Sequence, residues 1–342
     1  MPERSMSKMK IIACTGDSHT WGQGGRDVRR TYEGWGRYSV VGGEHRMVPF
    51  ANGAYVNLLA ERVNARTGSS RTDYEARVLA DAYGLVPAEN CVIAGGLRLP
   101  FDGALLRLQF FLPPWHAPAE IRVDGNVFWE GDFYRKDRKN PYNLLTFRLD
   151  DGPHVLELSG KAAMLYRIEI YRGPWAVVNC GVGSCPAGRY LNEYFDAYVA
   201  PLSPAVVIAQ GHTINDWLTD ETPADYERLL AALLGRMKAD GAETYLLTVE
   251  PILGRQLSRS GDAFADYIAA SRRAAAQAGV PILDAHAALA PQLAALPDDE
   301  ARFAAWYEDN WHPNTAGHAL YARVAWEGIQ GLMNTEDLRL KK

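Results

Sequence analysis

The chain has 342 residues, and its 36 Lys and Arg against 41 Asp and Glu give a formal net charge of −5 at pH 7. A surface with this mild negative balance has no electrostatic reason to bind nucleic acid or an anionic membrane, so both are excluded as expected partners. With 47% hydrophobic and 23% charged residues, the composition is that of an ordinary globular protein. The length exceeds what one core usually fills, which predicts one large domain with an addition.

The N-terminal residues and the cysteines bear on the cellular compartment. Residues 1–10 are polar and lead into a strand without the apolar segment and cleavage site of a secretory signal. No apolar run approaches the roughly 18 residues that cross a bilayer. These features predict a cytoplasmic protein. The four cysteines lack the C-x-x-C spacing of a zinc or redox site and are expected to be buried thiols.

The first elements in chain order are a strand and a helix. Residues 9–14 are mostly apolar and predict a short buried strand that ends at Gly16. Apolar side chains recur at helical spacing from Val56 to Val63, and the predicted helix stops at Gly68. The chain therefore opens with a β-α unit.

Residues 71–174 have a different pattern. Apolar and polar side chains alternate at 106–112 and at 165–171, and a period of two predicts half-buried strands. Asp-Gly pairs at 124–125 and 151–152 mark turns between strands. We therefore expect an inserted all-β domain, a small sandwich, over residues 71–174.

The β-α alternation resumes after this insertion. Apolar segments predict further strands, at 176–179, 205–209, 245–249 and 280–284, with amphipathic helices between them. A last helix is predicted to begin at Pro313. Buried strands that alternate with helices indicate a parallel sheet covered on both faces. Residues 1–70 and 175–342 are thus expected to form one discontinuous α/β domain.

Four loops of this α/β domain carry the chemically active residues, since such proteins place reactive groups at the carboxyl edge of the sheet. The loops are Gly16-Asp17-Ser18-His19, Asn179 to Ser184, Gly211 to Asp216, and Asp309-Asn310-Trp311-His312. Their order and placement resemble the four sequence blocks of the SGNH (GDSL-type) hydrolase family. The resemblance covers residues 9–66 and 175–332, outside the insertion. It implies a three-layer flavodoxin-like fold, serine esterase activity, and no metal or organic cofactor.

Three of these residues form a candidate catalytic triad. Ser18 is a weak nucleophile that needs a base within hydrogen-bond reach, and the imidazole of His312 titrates in the range that a base requires. Asp309, three residues before His312, can bond to the imidazole and fix its tautomer. The competing interpretations are a helix cap for Ser18 and a core or surface histidine for His312.

The resemblance also implies an oxyanion hole. Its donors would be the backbone N–H groups of Ser18 and Gly183 and the side-chain amide of Asn215. Within the second loop Gly181, Gly183 and Ser184 compete for the donor position, and we favour Gly183. Loss of one such donor typically costs on the order of 3 kcal/mol of transition-state stabilisation.

Aromatic and histidine residues supply the candidate substrate contacts. His19 and Trp311 adjoin the proposed nucleophile and base and are candidate substrate-binding residues. The insertion is rich in aromatic side chains that would either stack on sugar rings or fill the sandwich core or a subunit interface: Trp115, Trp129, Phe133, Tyr134 and Tyr142.

The sequence therefore predicts a serine esterase that removes a short acyl group, in first place acetyl, from a carbohydrate through an acyl-enzyme. The substrate would be a small-molecule or oligosaccharide ester, and a homo-oligomer is left open. The alternatives are a lysophospholipase- or thioesterase-like hydrolase, a carbohydrate O-acyltransferase, and a non-catalytic carbohydrate-binding protein.

Overall fold

The computed structural model describes residues 9–25, 53–88, 91–113, 115–133, 142–160, 163–219, 221–253 and 264–333. The chain divides into two compact units. The α/β unit comprises Lys10–Thr67 and Val177–Lys342, and the β unit comprises Met1–Met9 and Gly68–Ala176. The sequence places the domain borders after residues 70 and 174 and the first nine residues in the α/β domain. The structure places the borders after residues 67 and 176 and the first nine residues in the β unit.

The strands in chain order are β1 (Lys10–Gly16), β2 (Ser70–Glu75), β3 (Val86–Ala88), β4 (Cys91–Ile93), β5 (Arg98–Asp102), β6 (Leu105–Phe111), β7 (Pro118–Val123), β8 (Asn126–Asp132), β9 (Tyr142–Arg148), β10 (Pro153–Ser159), β11 (Met164–Arg172), β12 (Trp175–Gly181), β13 (Val206–Gln210), β14 (Glu243–Leu247) and β15 (Ile282–Leu283). The α-helices are α1 (Ser18–Trp21), α2 (Tyr55–Thr67), α3 (Ala76–Tyr83), α4 (Ala187–Arg189), α5 (Phe195–Tyr198), α6 (Thr213–Leu218), α7 (Pro223–Ala239), α8 (Phe264–Ala278), α9 (Ala285–Ala294), α10 (Asp299–Trp306) and α11 (Thr315–Ile329). A π-helical turn at Tyr190–Tyr194 and 3₁₀ turns at Ala200–Leu202 and Gln330–Met333 are the other helical segments of the described residues.

The α/β unit is built on a five-stranded sheet in the order β12-β1-β13-β14-β15. Strand β13 pairs parallel with β1 and β14, and β14 pairs parallel with β15. Counted along the chain within this sheet, the order is 2-1-3-4-5, the flavodoxin-like order of doubly wound folds. Every residue of β13 and all but the first of β1 are buried, so both faces of the sheet are covered. The predicted fold class is confirmed.

In its described residues, the β unit contains two antiparallel sheets and one helix, α3. One sheet has the order β5-β10-β7-β8, and the other β3-β4-β11-β6-β9 with β2 also paired to β11. The Phe133 ring stacks between Phe110 of β6 and Trp129 of β8, with centroid distances of 4.1 and 4.4 Å. Phe133 is fully buried, whereas Trp115 is 52% exposed. Phe133 therefore fills the core between the sheets and cannot serve as a sugar platform.

Three further sequence expectations concern two aromatic residues of the insertion, the cysteines and membrane-spanning segments. Tyr134 and the side chain of Tyr142 lie outside the described residues. All four cysteines are buried and none forms a disulfide, as predicted. No helix in the described ranges is both long and apolar enough to span a membrane.

Candidate active site

The first loop places Ser18 at the carboxyl end of the central strand β1. Gly16 ends the strand at φ +149°, where a Cβ atom would lie 2.3 Å from Thr20 Oγ1, so the tight turn requires glycine. Asp17 then caps α1 by accepting the His19 backbone N–H through Oδ1 at 3.0 Å. Ser18 is the first residue of this helix, so its backbone N–H has no acceptor within it.

The fourth loop holds Asp309 and His312 in a short closed turn before α11. A β-bridge between Tyr307 and Pro313 closes the loop at its base. Asn314 is the N-cap of α11, which begins at Thr315. The predicted helix start at Pro313 was therefore two residues early, because Pro313 takes part in the bridge instead. The closed loop fixes the backbone on both sides of His312.

These two loops bring Ser18, His312 and Asp309 into one line of hydrogen bonds. Ser18 Oγ lies 2.8 Å from His312 Nε2, and His312 Nδ1 lies 2.7 and 2.9 Å from the two Asp309 carboxylate oxygens. Asp309 Oδ1 also accepts the backbone N–H groups of Trp311 and His312. With Nδ1–H donating to the carboxylate, the Nε2 lone pair is free to accept the serine hydroxyl proton.

Burial sets the protonation of this line. Desolvation lowers the pKa of His312 below its ordinary value, although the hydrogen bond to Asp309 acts in the opposite direction. Burial alone would raise the pKa of Asp309, but the hydrogen bond and charge of His312 lower it overall. At neutral pH the pair therefore consists of a neutral imidazole and a carboxylate, the form in which His312 acts as a base.

The second loop supplies backbone N–H groups beside α1. The Gly181 N–H is bonded to Asn179 Oδ1 at 2.9 Å, and the Val182 N–H is bonded to Gly16 O at 2.9 Å. Gly181 is thus occupied as a donor. Within the described ranges, the Gly183 and Ser184 N–H groups have no hydrogen-bond acceptor, which narrows the three sequence candidates for an oxyanion donor to two.

The third loop is linked to the first through polar side chains. Gln210, the last residue of β13, accepts the Asp17 backbone N–H through its side-chain oxygen at 3.0 Å. Asn215 Nδ2 donates to Asp17 Oδ2 at 2.8 Å. One amide proton of Asn215 is therefore committed to Asp17, and only the other could face an oxyanion.

The structure contradicts the prediction that His19 binds substrate. His19 is fully buried, and both its ring nitrogens have carboxylate partners: Nδ1 lies 2.8 Å from Asp17 Oδ1 and Nε2 lies 3.1 Å from Glu250 Oε1. Neither nitrogen is available to a ligand. Trp311, by contrast, is half-buried and packs edge-to-face on Trp217 at a centroid distance of 5.7 Å.

Sequence reasoning missed Glu250 and Tyr321 as partners of this region. Glu250 follows strand β14 by three residues, and its Oε2 accepts the Tyr321 hydroxyl proton. An acidic residue just beyond a buried parallel strand was an available signal, because that edge of the sheet collects polar groups. Tyr321 gave no such signal, since an aromatic residue inside an amphipathic helix is ordinary core.

No group of three or more His, Cys, Asp or Glu side chains within the described ranges is arranged to hold a metal ion. The fold and the site together define a class: an α/β protein with a serine, a histidine and a carboxylate joined at the carboxyl edge of a parallel sheet, as in hydrolases that use a serine.

Comparison with known proteins finds one family model that is similar to part of the chain. Residues 161–320 match the model of the GDSL-like Lipase/Acylhydrolase family. This range includes the second, third and fourth loops, whereas Ser18 lies before it. This match, over slightly less than half of the chain, supports the resemblance to the SGNH (GDSL-type) hydrolases. Comparison with curated proteins gives no match.

Several solved structures are similar to the chain. A protein described as a GDSL-like lipase from Parabacteroides merdae is 14% identical, with 96% of this chain and 99% of that one covered and a TM-score of 0.46. A Bacillus subtilis protein is 15% identical over 77% of this chain and 88% of that one, with a TM-score of 0.43. An acetylxylan esterase from Geobacillus stearothermophilus is 22% identical over 48% and 74% of the two chains, with a TM-score of 0.38.

Proposed function

We propose that the protein is a serine esterase in which Ser18 is the nucleophile, His312 the base and Asp309 the group that orients it. The observation that carries the proposal is the line of hydrogen bonds from Ser18 Oγ through both nitrogens of His312 to Asp309. These three groups have the identities and the hydrogen-bond distances that acyl transfer to a serine requires.

The proposed reaction has two halves. Ser18 Oγ forms a bond to the acyl carbon while its proton moves to His312 Nε2, and the tetrahedral intermediate then collapses as His312 protonates the leaving alcohol. In the second half, water loses a proton to His312 as its oxygen attacks the acyl carbon, and His312 then returns that proton to Ser18 Oγ as the acyl–Oγ bond breaks and the acid is released. Asp309 stays ionised throughout and stabilises the imidazolium that forms in each half.

The developing oxyanion would be bound by the backbone N–H groups of Ser18 and Gly183, with the second amide proton of Asn215 as a third donor. The Ser18 N–H, the first of a helix, has no acceptor within that helix, and the Gly183 N–H has no acceptor in the described ranges. Donors fixed in place before the reaction stabilise a transition-state charge without reorganisation.

We place a short acyl group, acetyl in first place, on a carbohydrate alcohol as the substrate. A Cβ atom at Gly183 would lie 3.6 Å from the Trp21 ring, so an indole fills space next to this proposed oxyanion donor. This bulk favours a small acyl group. The half-buried Trp311 ring, held edge-to-face by Trp217, offers an apolar face of the kind on which sugar rings stack.

The acyl preference predicts faster turnover of short esters. We expect kcat/KM for p-nitrophenyl acetate to exceed that for the octanoate, because the longer chain has to displace the indole beside Gly183. A series of p-nitrophenyl esters of increasing chain length measures this directly. Faster hydrolysis of octanoate would favour the lysophospholipase- or thioesterase-like alternative. Transfer of acetyl to an added sugar, detected by mass spectrometry, would favour the O-acyltransferase.

The protonation of His312 predicts an acidic limb in the pH profile. Only neutral imidazole can take the Ser18 proton, so kcat/KM falls as pH drops through the pKa of His312 in the free enzyme. Because burial lowers that pKa, the limb is expected below the ordinary histidine value of about 6.5. Measuring kcat/KM for p-nitrophenyl acetate from pH 4.5 to 8 tests this. A flat profile over the whole range would contradict the role of His312.

A further inference from the structure

His19 lies between two buried carboxylates directly behind the proposed catalytic histidine. Asp17 and His19 are fully buried, and Glu250 is 1% exposed. Each imidazole nitrogen of His19 faces one carboxylate oxygen, at 2.8 Å for Asp17 and 3.1 Å for Glu250. An ionised carboxylate can only accept hydrogen bonds, so both contacts are satisfied only when both His19 nitrogens carry protons.

The surroundings of the two carboxylates favour their ionised form. Asp17 also accepts the Asn215 amide, and Glu250 accepts the Tyr321 hydroxyl proton. Burial alone would raise the pKa of each acid, but the charge and hydrogen bonds of His19 outweigh it and lower both. Burial would likewise lower the pKa of His19, yet the two carboxylates raise it well above its ordinary value.

His19 is close enough to influence His312 electrostatically. The two ring centroids are 5.3 Å apart, with the rings tilted at 43°. Like charges at this distance in a buried site repel strongly, since solvent screens them little. A positive charge on His19 therefore opposes a second proton on His312, whereas Asp309 and, to a smaller extent, Asp17 favour it.

A third histidine in the same region is buried and neutral, so burial alone does not make a histidine cationic here. His318 of α11 is fully buried. Its Nδ1 accepts the Tyr55 backbone N–H at 3.3 Å, and its Nε2 donates to the Gln23 carbonyl at 2.7 Å. This pattern requires one ring proton only, and desolvation lowers the pKa of His318 to about 4. His318 is thus a neutral neighbour of His19 and His312.

We propose that His19 is a permanent imidazolium, held by Asp17 and Glu250, that keeps His312 neutral, with Nε2 ready to accept the Ser18 proton. This inference rests on the proposed function, since it assigns His19 as a positioning residue for the same base. Asp309 orients His312, and His19 offsets the increase in basicity that Asp309 would otherwise cause. The Tyr321 ring stacks on the His19 ring at a centroid distance of 6.4 Å.

The test is a titration of the full-length protein labelled with ¹⁵N-histidine and followed by NMR. In the wild type we expect both His19 nitrogens to remain protonated up to at least pH 8. In His19→Gln we expect the midpoint of His312 to rise by about one pH unit, because a positive charge close to it is removed. The acidic limb of kcat/KM should move upward by the same amount.

His318→Gln is the matched control, since it replaces a buried but neutral histidine of the same region and should leave the midpoint of His312 unchanged. His19→Lys is a second variant that retains a cation between Asp17 and Glu250 and should restore the low midpoint if it folds. A singly protonated His19 at pH 7, or an unchanged His312 midpoint in a folded His19→Gln protein, overturns the inference. Because NMR reads the histidines without turnover, this result is independent of whether Ser18→Ala abolishes activity, which tests the proposed function.

Discussion

Ser18→Ala is expected to lower kcat for p-nitrophenyl acetate by at least about 10⁴-fold, because the residue removed forms the covalent bond to the acyl group. Ser18 is 6% exposed and its hydroxyl is bonded to His312 Nε2, so removal of the hydroxyl takes away one hydrogen bond and no core packing. The folded state should therefore persist, and thermal unfolding of the variant should remain close to that of the wild type. Steady-state kinetics together with a melting curve measure both effects.

Ser271→Ala is the matched control for this variant. Ser271 is also a buried serine, and it lies within helix α8, where its hydroxyl donates to the Ile268 carbonyl. Its replacement should leave kcat unchanged. A fluorophosphonate probe should label wild-type protein and Ser271→Ala on Ser18 and should not label Ser18→Ala. Esterase activity that survives the Ser18→Ala change would rule out Ser18 as the nucleophile. A wild-type protein without esterase activity would favour the non-catalytic carbohydrate-binding alternative.

The fold was predictable from the sequence because it depends on local patterns. Apolar runs that fill both faces of a strand mark the parallel sheet, and the alternating pattern of β6 marks the change to antiparallel strands. The ends of β1 and β13 then pointed to Ser18 and Asn215, since chemistry in doubly wound sheets gathers at the carboxyl edge. His312 was indicated instead by Asp309, three residues before it.

The partners of the site residues were not predictable, because they come from distant parts of the chain. His19 meets Glu250, 231 positions away, and this pairing buries a residue that was expected to bind substrate. Asn215 meets Asp17 in the same way, which commits one of its amide protons. Likewise the alternation of apolar residues could not decide whether Phe133 is core or platform, since both occur next to a turn. Only the packing of one sheet on the other decides this.

The role assigned to Asp309 makes Asp309→Asn a sharp test. Asparagine keeps the size of the side chain and an oxygen that can accept the backbone N–H groups of Trp311 and His312. It also presents an amide N–H toward His312 Nδ1, which favours the tautomer with the proton on Nε2. That tautomer cannot accept the Ser18 proton, so we expect kcat to fall by about 10⁴-fold at neutral pH. This decrease in kcat should be larger than the decrease expected if the substitution only removed one hydrogen bond from the loop.

Asp298→Asn is the control, because Asp298 caps helix α10 through the Ala301 N–H and asparagine caps equally well. It should change neither activity nor stability. Histidine NMR shows whether a change of tautomer causes the loss of kcat in Asp309→Asn, because the proton of neutral His312 should move from Nδ1 to Nε2. Ser18 should also stop reacting with a fluorophosphonate probe. If His312 keeps its proton on Nδ1 and kcat stays near the wild-type value, then Asp309 neither orients nor stabilises the base. The orienting carboxylate would then have to be sought elsewhere around His312, where the structure places Asp17 beyond His19.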